Sequence, residues 1–178
     1  MKKFLIGSWP AILLLFLITS CGKEKSSQED LGQYYLKCKI DGVDKTFNYS
    51  AAADQQDLGG GEISYSVFGK AVATPDNLES LGFNIRISVP FTKGTYKETD
   101  PTDDYSLGGI YNPNTTDPGM IYAGHQFNEA DPFEVTFTEI TSTTLSGTFK
   151  GKLFMYTTDP NADSVIISNG SFKVKFPK

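Results

Sequence analysis

Leu81-Gly82-Phe83-Asn84-Ile85-Arg86-Ile87-Ser88-Val89 alternates apolar with small or polar side chains over nine residues. Strand side chains point to opposite faces in turn, so this segment reads as a strand with one dry and one wet face. Upstream, Glu62 to Val67 repeats the pattern, with Ile63, Tyr65 and Val67 set against Ser64 and Ser66. Lys37 to Ile40 and Val43 to Phe47 flank Asp41-Gly42, a two-residue signal for a type I′ hairpin. In that register Lys39 faces Asp44 and Leu36 faces Phe47. Downstream, Asp104 to Tyr111, Met120 to Phe127 and Phe133 to Ile140 are further strand candidates, separated by loops rich in Pro, Asp, Asn and Gly.

The last third of the chain predicts one long hairpin. Leu145 to Tyr156 and Val165 to Phe176 are both 12 residues long and flank a turn-rich segment from Thr157 to Ser164. In the second arm the apolar parity shifts between Ile167 and Phe172, so one extra residue must be absorbed at Asn169-Gly170. A β-bulge with Gly170 at positive φ restores the register, and a tight turn at Asn169-Gly170 is the competing reading. No stretch sustains a helical period. The expected fold is all-β: an antiparallel β-sandwich of about eight to ten strands, with a lipocalin-like β-barrel as the alternative. Residues 34–178 form a single domain in this reading, and no internal repeat is visible.

The amino-terminal segment has a different character. Met1-Lys2-Lys3 precedes an apolar run from Phe4 to Thr19, too short and too broken by Trp9-Pro10 for a comfortable membrane span. The run ends in Ile18-Thr19-Ser20-Cys21, which resembles the bacterial lipobox. Residues 1–20 are therefore expected to be a lipoprotein signal peptide, and Cys21 the lipidated first residue of the mature chain. Residues 21–33 are polar and read as a flexible tether. Diacylglyceryl and N-acyl chains together exceed the two signals needed for stable anchoring, so membrane lipid is the first expected partner. An ordinary signal peptide with a chance cysteine is the alternative.

Charge and motif content narrow the chemistry. Removing residues 1–20 takes away Lys2 and Lys3, which leaves 14 basic residues against 21 acids and a net charge of −7 rather than −5. Scattered cations in an acidic chain speak against nucleic-acid binding. Cys38 has no second cysteine once Cys21 is lipidated, and in Leu36-Lys37-Cys38-Lys39-Ile40 it reads as a small inward hydrophobe. The single histidine, His125, excludes a multi-histidine zinc site, and no hydrolase or nucleotide-binding motif is present. No cofactor is expected and no catalytic residue stands out. A carboxylate-type hydrolase is the enzymatic alternative, because 21 acids offer many pairs.

Three weak sites remain. Asp159, Asn161 and Asp163 begin like a calcium loop, but Ser164 and Gly170 stand where the turn glycine and bidentate glutamate belong. Asp100, Asp103 and Asp104 could form a looser oxygen cage, and solvated turn acids are the preferred account of both loops. For glycan stacking the only tryptophan, Trp9, lies in the signal segment, so tyrosine must serve. Tyr96, Tyr105, Tyr111 and Tyr122 lie in or beside the loop-rich middle of the chain and are the ligand-binding candidates; packing in the core is the competing use.

The lipobox, Cys38-Lys39-Ile40-Asp41-Gly42, Gly94-Thr95-Tyr96, Leu145-Ser146-Gly147-Thr148-Phe149 and Asn169-Gly170-Ser171-Phe172 together resemble the small uncharacterised lipoproteins of Bacteroidetes. That resemblance implies an all-β envelope domain, often surface-exposed, and carries over no catalytic residue. Gly22-Lys23-Glu24 partly matches the acidic export signal of that group, and Asp163-Ser164-Val165 resembles its O-glycosylation site at Ser164. The expected function is a non-enzymatic binding or structural module, lipid-anchored in the cell envelope at the outer membrane, for extracellular glycan or protein. A carrier of a small apolar ligand within a barrel is the runner-up.

Overall fold

The computed structural model describes residues 32–74, 76–98, 104–113, 120–124, 131–155 and 163–177. Eleven strands follow in order: β1 (Tyr35–Ile40), β2 (Val43–Phe47), β3 (Tyr49–Gly59), β4 (Glu62–Lys70), β5 (Ser80–Ile87), β6 (Gly94–Lys97), β7 (Tyr105–Asn112), β8 (Tyr122–Ala123), β9 (Glu134–Ile140), β10 (Thr144–Met155) and β11 (Ser164–Lys175). Among the described residues there is no helix, and the all-β expectation holds. The count exceeds the expected eight to ten.

All eleven strands belong to one sheet in the order β2-β1-β11-β3-β4-β5-β7-β8-β10-β9-β6, with β10 and β11 also paired to each other. Pairing is antiparallel everywhere except the bridge Lys175↔Ala52, where β11 meets β3 in parallel. The hydrogen-bonded path β11-β3-β4-β5-β7-β8-β10 therefore returns to β11, while β1-β2 and β9-β6 hang from it as flaps.

The interior is aromatic. Phe83 of β5 meets Phe137 of β9, Phe149 of β10 and Phe172 of β11 at ring-centroid distances of 6.2, 6.0 and 5.1 Å, and Phe133 at 6.2 Å. These five rings are almost wholly buried. Each contributes roughly 1.5–3 kcal/mol through burial alone, and the tilted and edge-to-face geometries add to that. The alternation that defined Leu81 to Val89 places Leu81, Phe83, Ile85 and Ile87 in this core. Val89 departs from it: β5 ends at Ile87, and Val89 is exposed once the ladder stops.

The hairpin at Asp41-Gly42 forms as expected, both residues at positive φ (49° and 82°), with Leu36 facing Phe47 and Lys39 facing Asp44. The long β10–β11 hairpin also forms, and the bulge displaces the tight turn. Phe149 pairs with Gly170 and Gly151 with Ile167, so Ser168 and Asn169 share one place in the ladder. One detail is corrected. The positive φ belongs to Asn169 (53°), a residue whose short amide side chain tolerates that region. Gly170 is needed for space, because a Cβ there would collide with the Phe149 carbonyl oxygen and ring.

Two strands have no sequence counterpart, β3 and β6. β3 contributes only Ala51 and Ala53 to the core, and its Asp54 to Asp57 portion is exposed and held by pairing with β4. Of the expected strand from Met120 to Phe127, Tyr122–Ala123 is observed, and 125–130 lies outside the described residues. So do residues 1–31, which include Cys21, together with Asp100, Asp103, His125, Asp159 and Asn161.

Candidate functional site

The four tyrosines fall into two pairs at opposite ends of β7, because Tyr105 and Tyr111 are its first and seventh residues and a strand rises about 3.3 Å per residue. At one end the Tyr96 and Tyr105 rings meet edge to face at 5.0 Å. Tyr96 is buried, and its hydroxyl donates to the Thr92 carbonyl at 2.8 Å and accepts the Thr92 N–H at 3.3 Å. Tyr105 is half-buried, and its hydroxyl accepts the Lys97 N–H at 3.4 Å. At the other end Tyr111 and Tyr122 stack at 6.1 Å, both buried. The four rings thus form no common platform, and three of them turn their faces to protein rather than to solvent.

The Tyr111 end contains a polar network that the sequence did not suggest. Glu79 is the one buried charged residue among those described. Its Oε1 accepts from Lys45 Nζ at 2.7 Å and from the Tyr111 hydroxyl at 2.9 Å. Tyr122 donates to Asp163 Oδ2 at 3.2 Å, and Asp163 Oδ1 accepts the Ser164 N–H at 2.8 Å. Burial pushes the Tyr111 hydroxyl above its usual range, and its hydrogen bond to Glu79 and the charge of that carboxylate push the same way. Tyr122 is raised by burial and by the charge and hydrogen bond of Asp163. Cys38 lies on the inner face, buried as expected, and desolvation drives its thiol up to about 12. The Lys45 cation draws it down and the Glu79 charge raises it, both as smaller effects. A thiol held in that state is not a nucleophile at neutral pH. One signal for this network was present: the hairpin register sets Lys45 opposite inward Cys38 and in phase with Phe47. An inward lysine demands a counterion.

The outer face of β6, β9, β10 and β11 carries the second constellation. Register aligns Lys97, Glu134 and Lys150 in one row across three strands. Glu134 stands 3.4 Å from Lys150 and 3.9 Å from Lys97. The next row is Thr95, Thr136, Thr148 and Ser171, with the Thr95 and Thr136 hydroxyls 2.8 Å apart. Over these rows lie two adjoining hollows of about 370 and 220 Å³ that share Glu134 and Lys150. Lys97, Asp131, Ile166 and Ser168 line the larger; Thr136, Thr148 and Asn169 line the smaller. Gly151 lines the larger hollow and Gly170 the smaller, so the bulge region borders the groove. None of the four predicted tyrosines lines these hollows; Tyr105 only accepts the backbone N–H of Lys97.

Asp163 is engaged with Tyr122 and Ser164 rather than with an oxygen cage, and Asp104 gives its carbonyl to the Ser88 N–H at 2.9 Å. Among the described residues no three His, Cys, Asp or Glu side chains converge as a metal site. Ser164 is half-buried as the first residue of β11. Set against protein-family models, curated proteins and solved structures, the chain matches none of them.

Proposed function

We propose that this chain is a non-enzymatic binding module of the cell envelope, lipid-anchored through Cys21, which takes extracellular glycan in the groove over β6, β9, β10 and β11. The observation that carries this reading is the groove itself. Its walls alternate cation, carboxylate, hydroxyl and amide groups that donate and accept in register, as a polyol requires, and exposed Ile166 adds an apolar patch for a sugar ring. Elsewhere the interior around Phe83 is filled with aromatic rings, which weighs against an apolar carrier.

A carboxylate hydrolase keeps one supporting feature, since Asp131 and Glu134 line the same hollow. Against it, both Glu134 oxygens face lysine ammoniums instead of standing free for a glycosidic oxygen. Thermal shift of the chain against a polysaccharide panel tests the binding reading. A ligand at a hundred times its dissociation constant adds about 2.7 kcal/mol. Release of reducing ends from the bound polysaccharide, lost in Glu134→Gln, would move the reading to the hydrolase. No shift with any glycan would remove it in favour of an envelope protein partner. The anchor is tested apart: Cys21→Ala abolishes acyl labelling, and retained labelling would refute lipidation there.

A further inference from the structure

We infer that the outer face of the β4–β5 hairpin, with the adjoining end of β7, is a second membrane contact that seats the domain against the lipid surface holding its anchor. The inference rests on the lipid-anchor reading above. Four exposed large hydrophobic side chains belong to this hairpin and to β7 beside it. Register aligns Phe68 of β4, Gly82 of β5 and Ile110 of β7, so two apolar side chains flank a bare glycine. Lys70 and Ser80 pair two residues further on, and the Ala71 N–H donates to the Glu79 carbonyl at 3.0 Å, which carries the hairpin beyond β4 and β5. The Glu79 N–H then turns to Asn77 Oδ1 at 2.9 Å, so the ladder ends there, and exposed Val72 and Leu78 lie in the connection just beyond it. All four hydrophobics are 40–48% exposed. Scattered single hydrophobics are ordinary on a protein surface; four within one hairpin and its neighbouring strand are not.

The bilayer is chosen over other occupants by where the chain enters the fold. Tyr34 is the first residue after the expected tether, and Lys175 Nζ lies 5.1 Å over its ring. Lys175 pairs with Ala52, and Ala52 pairs with Phe68, so the tether enters beside the apolar row. Thirteen residue steps separate Cys21 from Tyr34. Even fully extended they reach no more than about 45 Å, so an anchored domain stays within that distance of the lipid. The chemistry around the apolar side chains is interfacial: Lys70 follows Phe68 on β4, and Lys175 pairs with Ala52 beside Phe68, with its Nζ over Tyr34, a cation and aromatic set suited to anionic headgroups. Asp76 at the hairpin tip is the one exposed acid of its described connection.

The sequence supplies the probe. With Trp9 in the expected signal peptide, the mature chain has no tryptophan, so Phe68→Trp introduces a single fluorophore on this face and Thr148→Trp one in the polar groove. Both lipidated chains are placed on vesicles of phosphatidylethanolamine and phosphatidylglycerol in equal parts, with and without brominated acyl chains. Flotation with the vesicles reports the anchor. The expected result is a blue-shifted emission from Phe68→Trp, quenched by brominated lipid, with Thr148→Trp unaffected. Flotation without quenching of Phe68→Trp overturns the membrane contact and leaves the anchor standing; a blue shift without quenching, together with a cross-linkable dimer, assigns the face to a second copy instead. Equal quenching at both positions also overturns it, and failure to float removes the anchor and this inference with it.

Discussion

The outer faces of the two halves of the sheet differ in one row, although their inner faces share one core. Across β6, β9, β10 and β11 the outward rows are Lys97-Glu134-Lys150 and Thr95-Thr136-Thr148-Ser171. Across β4, β5 and β7 one outward row is Phe68-Gly82-Ile110. Inward, both halves present phenylalanines that meet at Phe83. Folding demands the inward pattern and says little about the outward one, since a solvated strand face tolerates most residues. The two proposals therefore rest on outward rows: the glycan reading on Lys97-Glu134-Lys150 and its threonine neighbours, the membrane contact on Phe68-Gly82-Ile110. That apolar row is followed on the same face by Ser66-Asn84-Gly108 and Ser64-Arg86-Ser106.

The largest expected effect breaks both faces at once. Phe83→Ala removes the ring they share and should cost about 3–5 kcal/mol in denaturant unfolding, with the midpoint lowered. A loss under about 1 kcal/mol would mean that the halves do not share a core. Glu79→Ala should come next. It leaves Lys45 and the Tyr111 hydroxyl without their acceptor, at about 2–4 kcal/mol, moderated because the Lys45 side chain is 33% exposed. Hydrogen exchange should speed first in the β4–β5 hairpin and β2, and last in β9 and β10. Uniform acceleration would refute that ordering.

Gly170→Ala should act on the polar half, forcing Phe149 aside at about 1–3 kcal/mol and deforming the groove it borders. Alkaline titration sharpens the account of Cys38. Its thiol is raised from 9.0 to about 12, so the neutral form is favoured in the folded state. Above pH 9 the unfolded chain ionises first, and stability is lost as pH rises from about 9 towards 12. Cys38→Ala should flatten that decline, and an unchanged slope would contradict the assignment. Lys150→Ala should be the mildest, within about 0.5 kcal/mol, because the lysine is 67% exposed. It should still weaken any glycan held in the groove.

How much of this was legible depends on the range of the interactions. Asp41-Gly42 set the β1–β2 register because turn chemistry is local, and the parity shift between Ile167 and Phe172 located the bulge. β3 was illegible because Ala51-Ala52-Ala53-Asp54-Gln55-Gln56-Asp57 has neither alternation nor β-branched residues; β4 imposes its strand conformation. The tyrosines were visible as aromatic residues, but their burial depends on partners far along the chain, as with Tyr111 and Glu79, 32 residues apart. Glu79 lies in the short connection between β4 and β5 and carries no motif. In the polar row Lys97-Glu134-Lys150 the β9–β10 hairpin joins Glu134 to Lys150, and only the non-local β6–β9 pairing adds Lys97.

The most direct test of the central contrast is residue-resolved amide chemical-shift mapping of the chain as the thermal-shift-positive polysaccharide is titrated in. The account predicts saturable changes at Thr136, Thr148, Lys150 and Asn169, with Phe68, Val72, Leu78 and Ile110 unmoved. Changes centred on the apolar face, or none on either face with any polysaccharide of the panel, would contradict it.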